Sequence, residues 1–252
     1  MAKAMALVGL GRLGEAIDAL LKGMEVSKKA HNATWIRAFR GALAHLKFLA
    51  FDYEAALRDS EALQRDGREA PGQAWVLNTI TAGLSELEIG RPKQALRYFE
   101  QARNDQVEPR SFLHWYWRTL GLFGSSSAHL ATGNLANAGR DADLFLQAAL
   151  SFADRSIQGL AWAVKGQVFQ AEGRWEDARD CLEKALSAIK DFEAPIYAWR
   201  IYLIAADIYQ GLNDSIAAES HRETAKTLIL QLANSFEKED PHRATLLSAV
   251  LI

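Results

Sequence analysis

The stretch "ALVGLGRLGEAIDAL" occupies residues 6–20. It contains Gly9-x-Gly11-x-x-Gly14, the spacing with which a glycine-rich turn brings a dinucleotide's pyrophosphate to a helix N-terminus. That reading needs a second apolar strand ending in Asp or Glu about 20 residues further on. The sequence there is "KGMEVSKKAHNATW", charged and polar. The stretch is therefore no phosphate cradle, and Gly11 and Gly14 are read as turn residues.

The series to which they belong runs through the whole chain. "GRLGEA" ends at Ala16, "FDYEAA" at Ala56, "GRPKQA" at Ala95, "GNLANA" at Ala138, "GRWEDA" at Ala178 and "NDSIAA" at Ala218. The steps between these alanines are 40, 39, 43, 40 and 40 residues. Trp35, Trp75 and Trp115 repeat with the same 40-residue step. A fixed period of this size marks stacked supersecondary units, each too small to bury its own apolar face.

Each unit reads as two helices. In the fifth, "SIQGLAWAVKGQVFQAEG" forms one, with Gly173 closing it in the left-handed conformation. "RWEDARDCLEKALSAIK" forms the other. Its Ala178, Cys181, Leu182, Ala185, Leu186 and Ile189 fall on one helical face, and Glu176 and Asp177 in its first turn complement the helix dipole. Only five prolines interrupt the chain, and no β-branched alternation suggests a strand.

These residues resemble tetratricopeptide repeats. Trp162, Gly166, Phe169, Ala178, Leu182 and Ala185 fall where that family has Trp, Gly, Tyr, Ala, Phe and Ala, with Lys165 in place of its Leu. The third unit supplies Gly83, Ala95, Phe99 and Ala102, and the sixth Tyr209, Ala218 and Ala225. The period near 40 is similar to that in the repeat region of maltotriose-dependent LuxR-type transcription activators and in the repeat tails of bacterial cyclases and kinases. HEAT-type repeats have a similar period, but the alanine-centred turn argues against them. The resemblance implies an all-α, right-handed α-α superhelix of about six helix pairs in one domain. The units are 1–27, 28–67, 68–107, 108–151, 152–191 and 192–238, with a capping helix over 240–252. Asp240 and Pro241 read as N-cap and first residue of that helix. The first helix of the first unit would begin at or before Met1, so the chain is expected to be part of a longer protein.

Composition narrows the function. A net charge of −2 gives no global field toward nucleic acid or an anionic membrane. A single cysteine, Cys181, excludes an internal disulfide and a cysteine-based zinc site. No apolar run approaches the roughly 20 residues of a membrane span, and the N-terminus lacks a signal-peptide pattern. A cytoplasmic setting is expected. None of the six histidines forms His-x-x-x-His beside a glutamate. "GSSSAH", residues 124–129, lacks the Gly-x-Ser-x-Gly elbow and reads as the polar face of a helix. Cys181 reads as a structural thiol, and the aromatic run "SFLHWYWRTLGLF" (111–123) as inter-repeat core. No catalytic residue, cofactor site or metal site is expected.

What remains is surface. The first helices of stacked pairs line a concave groove, and polar residues recur on them. Arg37, His45, Asn78, Arg118, Gln167, Arg200 and Asp207 are the expected groove contacts. Arg37, Arg118 and Arg200 lie 81 and 82 residues apart, close to two units each time. If aligned they would give a basic stripe for an acidic peptide or an anionic ligand. The expected function is a non-catalytic scaffold of a bacterial regulatory or signalling protein, binding a protein or peptide. The alternative is a sensor whose groove takes a small-molecule effector and controls an attached domain.

Overall fold

The computed structural model describes residues 1–67, 73–104, 114–191 and 195–250. Among them are thirteen helices and no strand. These are α1 (Ala2–Gly9), α2 (Leu13–Lys29), α3 (Ala33–Leu49), α4 (Tyr53–Gly67), α5 (Gln73–Glu88), α6 (Pro92–Asn104) and α7 (His114–Ala131). They continue as α8 (Leu135–Leu150), α9 (Arg155–Ala171), α10 (Trp175–Ile189), α11 (Pro195–Gly211), α12 (Ser215–Ala233) and α13 (Pro241–Ala249). The fold is an all-α superhelix of helix pairs. Of the expected inter-repeat loops, 30–32 is a turn, while "DQVEPR", most of "DGREAPG" and residues 192–194 of "KDFEAP" lie outside the described residues.

The local chemistry that starts these helices is readable. The side chains of Asn32, Asn134, Asp154, Asp214 and Asp240 each accept a hydrogen bond from a backbone N–H in the first turn that follows. Such caps satisfy donors that the helix itself cannot. Within pairs, the six series alanines, Ala16, Ala56, Ala95, Ala138, Ala178 and Ala218, are all fully buried. They sit where the second helix crosses the first. A side chain added at Gly166 on α9 would press within 3.2 Å of the Ala178 carbonyl on α10. Small residues on both partners set that close approach.

Six turns join first to second helices, and each contains a residue with positive φ. Four are glycines: Gly11, Gly90, Gly133 and Gly173. Asn213 is the fifth, a residue that tolerates this region. The sixth is Phe51, at φ 67°. For a bulky L-residue this conformation costs about 1–2 kcal/mol. Gly14 departs from the expectation for it. It lies in the first turn of α2, and its missing side chain makes room for the Ser235 backbone, whose carbonyl oxygen would stand 2.5 Å from an added Cβ.

The first helices form the inner layer, with α3 against α5, α5 against α7, α7 against α9 and α9 against α11. The array then curls until its ends meet. α11 touches α1. The Leu13 amide, unable to bond within its own helix, donates to Ser235 Oγ at 3.1 Å. Gly11 packs against Pro195 and Leu232. The described chain exposes 12701 Å², against about 11,000 Å² for a compact protein of this mass. α13 packs on α12 and buries Leu246.

Candidate functional site

Closure puts α3, α5, α7 and α11 around one centre. His45, Phe48, Phe51, Tyr53, Leu84, Phe123, Tyr197, Trp199 and Arg200 line a recess there. Its free volume is about 20 Å³, room for about one water molecule. Aromatic rings crowd this recess. Phe51 meets Trp199 at 4.9 Å between centroids, and the Tyr116 and Tyr197 hydroxyls meet at 2.5 Å. Burial pushes both phenols up, Tyr116 to about 12. Both are neutral at pH 7, so one donates to the other.

The seven expected contacts divide by environment. His45, 6% exposed, holds Thr81 Oγ1 at 3.1 Å through Nδ1. Among the described residues its Nε2 has no hydrogen-bond partner, and burial lowers its pKa to about 4. The ring is neutral at pH 7. Asn78, 2% exposed, lies against Gly41 on α3, where a side chain would meet its Oδ1 at 2.9 Å. Neither residue offers a surface to a ligand. Arg200 lies over the Trp199 and Phe123 rings and pairs with Glu88 at 2.8 Å. These recurring polar groups join one helix pair to another inside the array. Arg37 and Gln167 are half-buried, and Arg118 and Asp207 are exposed. Partial burial raises the Asp207 carboxyl above its usual range, against the opposing pull of Arg222.

A second polar cluster was not anticipated. Asp141 on α8 is fully buried, and its Oδ2 accepts from Ser125 Oγ at 2.5 Å and from Arg103 at 3.0 Å. Ser126 donates to the Ala138 carbonyl at 2.9 Å. Ser125 and Ser126, read in "GSSSAH" as part of the polar face of a helix, thus face inward. The signal was present: Asp141 shares the apolar spacing of Ala138, Ala142, Phe145 and Ala149. The cluster does not form a nucleophile–base pair. Ser125 gives its proton to Asp141, and His129 Nε2 stands 3.9 Å from that carboxylate, beyond hydrogen-bond reach. Burial lowers the His129 pKa, with Asp141 opposing.

Cys181 is buried, and its thiol is pushed up by that burial, the opposite of what activates a nucleophile. From the run "SFLHWYWRTLGLF", Trp117, Leu120, Leu122 and Phe123 are buried core, while Ser111–Leu113 lie outside the described residues. Among the described residues no group of three His, Cys, Asp or Glu could hold a metal ion. Among them no helix is long and apolar enough to cross a membrane.

No family model matches the chain, and no curated protein matches it. Among solved structures, the crystal structure of MamA protein aligns over 81% of this chain and 98% of its own, at 16% identity and a TM-score of 0.44. A likeness at that level transfers nothing to this chain.

Proposed function

We propose that the chain is a non-catalytic interaction scaffold of a regulatory or signalling protein, taking a protein or peptide segment on the face built by its first helices. The observation that carries this reading is Arg118, exposed on α7, the first helix of its pair. A recess with room for about one water is far below the roughly 300–1,000 Å³ of a small-molecule site. At this recess that argues against a small-molecule effector. Arg118 stands exposed on α7 beside buried Trp117 and Thr119, and Arg37, Gln167 and Asp207 keep part of their side chains in solvent. His45, Asn78 and Arg200 serve the scaffold itself.

Arg118→Ala tests this. An exposed arginine rarely supports a core, so the melting temperature should stay near the parent's. Binding of an acidic partner found by pull-down should weaken at low salt, with the difference shrinking as ionic strength rises. Equal affinities at low salt would remove Arg118 from the contact surface.

A further inference from the structure

We propose that Phe51 is a latch that holds the array closed, so that its release opens the inner face. The gating role rests on the reading that a partner is taken on that face. Phe51 occupies the turn position where four other units place glycine, and it does so at φ 67°. A strained residue persists where the surroundings over-determine it, and such sites concentrate at switches and clamps. What holds this one is the far end of the chain. Its ring meets Trp199 of α11 at 4.9 Å and Tyr53 at 5.7 Å, between the second helix pair and the sixth.

The last pair and α13 also meet the earlier pairs through Gly11, which packs against Pro195 and Leu232, through Gly14 against the Ser235 backbone, and through three polar contacts. Asp52, next to Phe51, faces His242 of α13 at 3.8 Å. Glu88 pairs with Arg200, and the Leu13 amide donates to Ser235 Oγ. Helix–helix packing within each pair is continuous and owes nothing to these links. Release of the latch is opening at this seam with the helix pairs intact.

The Leu13 amide reports closure directly, because its one acceptor lies on the other end of the chain. Its hydrogen exchange would be followed by NMR in the full chain and in Phe51→Gly, Phe51→Leu and Trp199→Leu, with far-UV circular dichroism in parallel. Phe51→Gly removes the ring and relieves the backbone. Phe51→Leu removes the ring and keeps the strain. The latch predicts unchanged helicity and Leu13 exchange faster by on the order of tenfold in all three variants. Parent-like exchange in Phe51→Gly and Trp199→Leu would overturn it. Loss of helicity in those variants would overturn it equally, by showing closure to be part of the folding core. No partner enters the measurement, so its failure leaves the binding reading intact, and a failure of Arg118→Ala to weaken binding leaves the latch intact.

Discussion

Arg200 Nη2 lies 2.8 Å from Glu88 Oε1, an ion pair between α11 and α5, helices three pairs apart along the chain. Both side chains are about one-fifth exposed, so the pair is neither fully screened nor fully desolvated. Removing one partner leaves the other half-buried and unpaired. Arg200→Met should cost about 1–2 kcal/mol, between the exposed and buried limits. Adding Glu88→Gln should recover part of that loss. Urea melts of the two single variants and the double variant check this, and strictly additive losses would deny the coupling.

Ala178 is fully buried at the crossing of α9 and α10. Ala178→Leu has nowhere to place its added carbons without parting the helices. It should cost about 1–3 kcal/mol. A denaturant midpoint equal to the parent's would place Ala178 outside the tight contact.

His45 gives a pH dependence with a definite sign. Its folded pKa of about 4 lies below the ordinary 6.5, because burial disfavours the charged ring. Between those values the unfolded chain binds a proton that the folded chain does not. Stability is complete above about pH 6.5 and falls as pH drops toward 4, by up to about 3 kcal/mol for this group. His45→Gln should flatten the dependence in that window. Burial also lowers the pKa values of His129 and His221, which leaves a smaller slope of the same sign. An unchanged slope in urea melts at pH 4.5 and 7 would contradict the placement of His45.

The repeat was legible because its signals are local. A glycine at positive φ and an alanine at a helix crossing answer to constraints inside one unit, as Gly173 and Ala178 show. The polar residues were not legible in the same way. The sequence shows that His45, Asn78 and Arg200 recur on first helices, yet their surroundings come from other units: Thr81, Gly41 and Glu88. How far the stack curls decides whether such positions face a groove or one another, and curvature accumulates from small rotations that no single unit encodes. Asp141 shows the converse. Its place on an apolar face was visible, and the hydrophilic look of "GSSSAH" hid the hydroxyls that satisfy it. Phe51 stood in the quoted turn series as its one aromatic first residue, and its partner Trp199 lies 148 residues away.

The array closes on itself, with α11 against α1 and its rings against Phe51 and Tyr116. Small-angle X-ray scattering of the full chain in dilute solution tests this most directly. Closure predicts a radius of gyration near the compact-domain value of about 18 Å for this length, with a single-peaked distance distribution. A radius several ångströms larger, with a long tail of distances, would mean an open superhelix and would contradict the account.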